Sequence, residues 1–269
     1  MKPRVARARA HARLLLQNRI GEPELALLRH LVDPERAAID VGASVGVYTS
    51  ALLGLADRVV AFEPVPALFR DLVRTFPDAL VLPMGVSDQA GLASLHIPRR
   101  DGTELHPRAS LRPDVDPELD HDQIDVPTCR LDALDFGPVG FIKIDVEGHE
   151  VAAVEGAKGL FERDQPVLLV ESEIRHGDGP KTVGSVMGDL GYQGWFVHHD
   201  RLHPLQDFRD DMQWEPQVQM GSRGRRVNQL RWIVDPSSAL PRRLVNNFIF
   251  LPNDDETGCL QRLRHAVSG

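Results

Sequence analysis

The chain has 269 residues, 42% hydrophobic and 26% charged, which is the balance of a globular protein with a buried core and excludes wholesale disorder. Its net charge of −8 argues against a general binder of nucleic-acid backbones, whose affinity comes from clustered Lys and Arg. No apolar run approaches the ~20 residues of a membrane-spanning helix, so neither nucleic acid nor a membrane span is expected as a partner.

Residues 1–20 are Arg-rich without an acidic residue and are predicted to form a basic helix, either solvated or docking an anionic partner. Their only apolar run is Leu14-Leu15-Leu16, well short of the roughly 7–15 apolar residues of a secretory leader. Residues 22–31 read as an amphipathic helix, with Pro23 in its first turn and Leu25, Leu28 and Leu31 at helical spacing. A clean alternation follows: strand 37–41, a Gly-containing turn, helix 48–55, strand 58–62, helix 66–76 and strand 79–82. Continuous apolar strands alternating with helices imply a parallel sheet covered on both faces.

Residues 92–97 look like one arm of a hairpin. Residues 99–123 are rich in Pro, Asp, His and Arg, lack a hydrophobic period, and are expected to be an irregular insert on the ligand side. Strands 124–131 and 140–145, a helix 150–160, strand 166–170, helix 181–190, a second irregular insert at 206–229 and a last strand 245–251 complete the reading. His198-His199-Asp200 is read as a turn between two short strands and not as a ligand cluster. Cys129 and Cys259 stand outside any CxxC pair, which fits reduced thiols in a cytoplasmic protein.

The chemistry-bearing residues fall at strand ends, where open α/β sheets bind ligands. Asp40-Val41-Gly42-Ala43-Ser44-Val45-Gly46 links a buried strand to a helix, with glycines for a sharp turn and a close backbone approach. The Asp40 carboxylate suits a cationic ligand, such as the ammonium and sulfonium of S-adenosylmethionine, and would oppose a pyrophosphate. Ser44 stands where a dinucleotide fingerprint needs glycine, which disfavours an NAD-dependent oxidoreductase. Glu63 ends the second strand at the place where an acid meets ribose hydroxyls. Ser87 and Asp88 follow the third strand, where a polar group can meet an adenine, although Ser and Asp before Gly91 also favour a plain turn. Asp145, Glu147 and His149 follow the fourth strand, and any of them could take a proton from a hydroxyl nucleophile. His149 and Glu150 could equally just open a helix. Glu171 ends the fifth strand. With Asp145 it could share a divalent metal or orient a substrate hydroxyl, and nothing in the spacing demands the metal.

Together these segments resemble the FkbM family of methyltransferases: Ile39-Asp40-Val41-Gly42-Ala43 with Gly46, Phe62-Glu63-Pro64, Val86-Ser87-Asp88 with Gly91, Arg130-Leu131-Asp132, Ile142-Lys143-Ile144-Asp145-Val146-Glu147-Gly148 with Glu150, Val170-Glu171, and the terminal 247–252 strand. The Lys-x-Asp-x-Glu-Gly run is the most specific piece. The resemblance implies a Rossmann-like α/β class I methyltransferase fold, a mostly parallel seven-stranded sheet whose last strand is antiparallel. It also implies O-methylation of hydroxyls in secondary metabolites or glycans. Met84 departs from it, since many members carry a polar residue such as Asn there.

The expected organisation is an N-terminal helical extension at 1–34, a methyltransferase domain at 35–252 carrying both inserts, and a C-terminal tail at 253–269. The expected site comprises Asp40, Gly42, Ala43, Gly46, Glu63, Ser87 and Asp88 for S-adenosylmethionine, with Asp145, Glu147, His149 and Glu171 around a small-molecule or glycan acceptor. Three rivals stand against this reading. A small-molecule N-methyltransferase is disfavoured by the absence of any Pro-Pro motif. The NAD-dependent oxidoreductase lacks its glycine, and a non-catalytic module that kept only the fold would have no use for acids at three strand ends.

Overall fold

The computed structural model describes residues 24–213, 245–255 and 258–268. The basic segment at 1–20 and the 214–229 part of the second insert lie outside the described residues. In chain order the elements are α1 (Glu24–Leu31), β1 (Ala37–Val41), α2 (Val47–Leu52), β2 (Val59–Phe62), α3 (Pro66–Thr75) and β3 (Leu80–Leu82), then β4 (Gly85–Val86), β5 (Gly91–Arg100), β6 (Thr103–Glu104) and β7 (Asp120–Cys129). There follow β8 (Val139–Ile144), α4 (Glu150–Glu155), α5 (Lys158–Asp164), β9 (Val167–Glu171), α6 (Pro180–Asp189), β10 (Tyr192–His198), β11 (Arg201–Pro204), β12 (Asn247–Pro252) and α7 (Cys259–Ser268).

Among the described residues, eight strands form the main sheet in the order β11-β10-β12-β9-β8-β1-β2-β3. Neighbours from β9 through β3 pair in parallel, and β12 runs antiparallel to both β9 and β10. This is the mostly parallel, Rossmann-like arrangement with an antiparallel last strand that the sequence implies. The sheet has one strand more than expected, because residues 201–204 fold back on β10. The two-residue turn between them is His199-Asp200, both left-handed at φ 50° and 54°, the twist a tight hairpin requires.

Burial explains why the strands form where they do. Every residue of β1, β2 and β8 is buried, as strands covered on both faces must be. One hydrophobic cluster, built on Ile142, Leu160 and Phe248, fills one side of the sheet. A second, built on Leu28, Phe141 and Leu263, fills the other.

Two expectations need correction. The segment 99–123 is not irregular throughout, since β5 runs to Arg100 and β7 begins at Asp120. The two arms pair across nine positions in register, and Arg99 bonds Asp122 across them at 3.2 Å. Polar side chains do not prevent an antiparallel ribbon with an exposed face, because the ladder is made by backbone. The irregular part is the tip, which folds back to pair Ser110 with His96.

The helix expected over 150–160 is also broken. It stops at Gly156, where an added Cβ would lie 2.0 Å from the Ser87 carbonyl oxygen, and resumes as α5. The Asp132 carboxylate accepts from the Gly159 and Leu160 N–H groups at 3.3 and 2.9 Å, capping the second piece. Arg130 bonds Asp132 and the carbonyls of Asp88 and Glu155. Arg130-Leu131-Asp132 therefore acts as a brace that ties the helix break to the Ser87 loop.

Gly156→Ala should force that loop away from the helix and lower stability by about 1–3 kcal/mol, the usual range for overpacking. Chemical denaturation of the variant checks this, and an unchanged midpoint would mean the close contact relaxes freely.

Candidate functional site

The site forms where the ends of β1, β2 and β8 meet. Val41 pairs with Phe62 on one side and Ile144 on the other, so Gly42, Glu63 and Asp145 begin three adjacent loops. The Gly42 and Ala43 N–H groups both donate to the Phe62 carbonyl at 3.0 Å, and the Asp145 N–H donates to the Val41 carbonyl at 3.0 Å. Gly42 has φ +80°, and a Cβ there would lie 1.8 Å from the Asp145 carbonyl oxygen. Gly46 has φ +87°, and a Cβ there would meet the Phe76 ring at 2.3 Å. Both glycines are thus needed for packing and turn geometry, whatever they do toward a ligand.

An open cavity lies above these loops. Gly42, Ser44, Glu63, Asp145 and Glu147 line it together with the apolar Phe62, Val65, Val86 and Leu95. Met84 contributes to the wall, as do His106, Pro107, Ala109 and Leu111 from the hairpin tip. The tip is fastened over the site: the Ser110 hydroxyl donates to the Glu147 carbonyl at 2.7 Å, and Arg112 pairs with Asp178 at 3.0 Å.

Glu63 is 3% exposed and grips the glycine loop. One carboxylate oxygen accepts from the Ser44 N–H at 2.7 Å and the other from the Val65 N–H at 2.8 Å. Burial pushes its carboxyl up to about 7 despite those two donors. Each oxygen keeps a further lone pair for a ligand.

Asp40 does not line the cavity. It is 1% exposed and accepts a 2.5 Å bond from the Thr49 hydroxyl beneath the glycine loop. Burial raises its carboxyl to about 6, opposed by that bond and by the charge of Lys143. Strand alternation explains the difference, since residues 40 and 41 point to opposite faces. Ala43 is 5% exposed and packs with Ala61, Leu72 and Phe76.

Asp145 is the accessible acid, its side chain one-third exposed and 3.9 Å from the Lys143 ammonium. Lys143 itself is fully buried, bonded to Asn247 at 3.1 Å and lying 5.0 Å from the centre of the Tyr48 ring. In the sequence Lys143 stands out only as part of the Lys-x-Asp-x-Glu-Gly run. A lysine inside a continuous apolar strand was the signal that it faces a polar partner.

Glu147 sits at φ +50° and Gly148 at φ +97°, two successive left-handed residues that turn the chain sharply after β8. Burial and the neighbouring Asp145 raise the Glu147 carboxyl to about 8, against the pull of Arg175 at 3.1 Å.

The structure divides the remaining expected residues. His149 does not join Asp145: its Nε2 is 3.0 Å from the Ser87 hydroxyl, which in turn donates to Asp88 at 3.0 Å. Burial lowers the His149 pKa, so the ring is neutral at physiological pH. Glu171 joins Asp145 and Glu147 in a second recess, with Glu150, Glu173 and His176. Among the described residues no His, Cys, Asp or Glu cluster has the arrangement to hold a metal ion. No helix among them is long and apolar enough to cross a membrane.

The raised carboxyls carry a pH signature. A carboxyl whose pKa is raised by folding contributes stability below its unfolded value, and that contribution is lost as pH rises through the folded value. Glu63, Glu150 and Glu147, at about 7, 7 and 8, therefore favour unfolding as the solution becomes alkaline. His149 and His176 oppose this below pH 6.5, because both are lowered in the fold. Between pH 6.5 and 8 the acids act alone. Ligand-free protein should lose thermal stability across that window, and Glu147→Gln should flatten its upper half. Melting temperatures measured in half-unit steps test this, and a rising profile would contradict the burial of these groups.

The sequence model of the Methyltransferase FkbM domain matches residues 40–199, more than half of the chain. No curated protein matches it. Among solved structures the chain is similar to a methyltransferase FkbM from Methylobacillus flagellatus KT, at 20% identity and TM-score 0.45 over 62% of this chain and 40% of that one. The chain thus spans well under two thirds of that relative. It is also similar to a Streptococcus mutans protein described as a methyltransferase and solved with SAH, at 12% identity and TM-score 0.44 over 86% and 99%. An rRNA methylase from Streptococcus thermophilus matches at 12% identity and TM-score 0.43 over 85% and 93%. By the family match over residues 40–199, this chain belongs to the FkbM methyltransferase domain family.

Proposed function

We propose that the protein transfers a methyl group from S-adenosylmethionine to a hydroxyl of a sugar, glycan or secondary metabolite. The observation that carries this reading is one cavity lined by the acid after β2, Glu63, and the acids after β8, Asp145 and Glu147, together with apolar side chains. That donor set fits a ligand with a diol at one end and a cationic centre at the other. Bound there, S-adenosylmethionine supplies an activated methyl on a sulfonium.

The chain's own residues do the rest. Glu63 accepts from the ribose hydroxyls while it keeps the glycine loop in place. Val65, Val86 and Leu95 offer the adenine an apolar slot, and the Ser87–Asp88 pair, with His149 fixed on Ser87, supplies its polar edge. Asp40 acts from beneath, through Thr49 and the loop, and contributes negative potential without touching the ligand. Gly42, Ala43 and Gly46 shape the turn.

Asp145 faces the acceptor and takes the hydroxyl proton, a step that contributes about 10²–10⁴-fold when the base is well placed. Lys143 orients it. Glu147, Glu171 and the hairpin tip enclose the acceptor and exclude water, and alignment in that enclosure can supply roughly 7–11 kcal/mol of the barrier. His149 is left out of proton transfer because its Nε2 already meets Ser87.

Two measurements test the reading. Calorimetry should give binding of S-adenosylmethionine or S-adenosylhomocysteine and none of NAD, and tighter binding of NAD would end it. Asp145→Asn should keep cofactor affinity within a few-fold while turnover on a panel of hydroxyl acceptors drops about 10²–10⁴-fold, with EDTA leaving the wild type unchanged. Wild-type turnover by that variant would remove Asp145 from the reaction, and abolition by EDTA would make a metal part of it.

A further inference from the structure

Lysine and arginine together number 31 in the chain, and only four of these residues are lysines. One of the four, Lys143, lies near the end of β8 with 0% of its side chain exposed. A buried ammonium needs acceptors for its donors, or its charge is too costly to keep in the fold. The lysine head is a compact point charge, whereas an arginine would bring a planar fork that fills more space.

The acceptors that Lys143 has are informative. Its Nζ donates to the Asn247 side-chain oxygen at 3.1 Å and to the Ile144 carbonyl at 3.3 Å. Asn247 is the first residue of β12 and is 7% exposed. β9 lies between β12 and β8, so the lysine extends past a whole strand to reach this amide. Its Nζ stays 3.9 Å from Asp145 Oδ2, beyond the roughly 2.7–3.2 Å of a hydrogen bond. At that separation the charge is still felt by the carboxylate, but the ammonium does not occupy it. Asp40 also feels this charge, and its carboxylate already accepts from the Thr49 hydroxyl at 2.5 Å. Without the Asn247 oxygen, the ammonium would turn to the carboxylate it already stands beside, Asp145.

We propose that Asn247 is a positioning residue for the reaction: its side-chain oxygen draws the Lys143 ammonium off Asp145, so that the Asp145 carboxylate has a cation nearby while its oxygens stay open to the acceptor hydroxyl. What Asp145 does with those oxygens rests on the methyl-transfer reading, and the placement of the lysine does not. A lysine bonded directly to Asp145 would tie the carboxylate into a charge-assisted pair, which a hydroxyl would have to displace before giving up its proton. The antiparallel last strand thus acts on the reaction centre through one buried side chain, without lining the cavity.

The test reads through-hydrogen-bond NMR correlations from the Lys143 ammonium in ¹³C,¹⁵N-labelled protein with no ligand present. In the wild type the Lys143 Nζ should correlate with the Asn247 side-chain carbonyl and not with the Asp145 carboxylate. In Asn247→Leu the correlation should pass to Asp145. Asn247→Ser, whose hydroxyl is too short to reach, gives the same result should leucine disturb the strand. S-adenosylhomocysteine should bind both variants within a few-fold of wild type, while turnover on the hydroxyl panel drops about tenfold or more. Placed on Lys143→Met, Asn247→Leu should lower turnover no further. A wild-type correlation to Asp145, no correlation to Asp145 in either variant, or an equal further loss on Lys143→Met would each overturn the proposal. Failure of wild-type protein to bind S-adenosylhomocysteine or to turn over the panel would instead strike the methyl-transfer reading, because the correlations need neither.

Discussion

Gly42 is the point through which the site is built. Its missing side chain lets the turn after β1 lie against the Asp145 carbonyl, closer than any Cβ would permit, and the Asp145 N–H returns a bond to Val41. Two parallel strands thereby deliver their following loops to one spot. The glycine loop and the Asp145–Glu147 turn become adjoining walls of a single cavity. The left-handed backbone at residues 42, 44, 46, 147 and 148 is the conformational consequence, since each loop must reverse within a few residues to begin its helix. Glu63 then locks the arrangement from the third loop by accepting the Ser44 N–H. Any side chain at position 42 would part the walls before it touched a ligand.

The same crowding sets the electrostatics. Parallel strands aim their C-terminal residues into one crevice, and in this chain most of those residues are acids. Asp40, Glu63, Glu147 and Glu150 are all buried enough for their carboxyls to rise above their usual range. A carboxyl held neutral by burial regains its charge when a cation is placed beside it, so binding of a cation in this crevice is coupled to proton release. Lys143 and Arg175 offset part of the acids' charge from positions that leave the cavity open, one beneath Asp145 and the other at the outer edge of Glu147.

Residue type and periodicity revealed those parts of the fold where burial is complete and local. β1, β2 and β8 are fully buried runs that are apolar apart from Asp40 and Lys143, and they fall within a residue or two of the predicted bounds. The hairpin arms beyond residue 99 were not legible, because an exposed ribbon is held by backbone pairing that leaves little trace in side-chain pattern. The break at Gly156 was equally hidden, since its cause, the Ser87 carbonyl, lies 69 positions away in sequence. Among site residues, Glu63 and Asp145 could be placed by strand-end logic alone. Asp40 and His149 could not, because which face an end residue presents and which neighbour claims a ring nitrogen are decided by tertiary contacts.

The division of labour among the acids follows from that geometry. Glu63 has both oxygens engaged by backbone donors, so it can add ligand bonds but cannot move toward a proton. Asp145 has no such tether beyond the lysine 3.9 Å away, and its exposure leaves it free to approach a hydroxyl. Glu150 is immobile like Glu63, yet one of its oxygens is unclaimed. A fixed, half-satisfied carboxylate is poorly suited to shuttling protons and well suited to holding a charge at a set distance. Asp145 and Glu147 line both the main cavity and the closed recess behind it, so a change of charge on either acid is felt on both sides of the turn after β8.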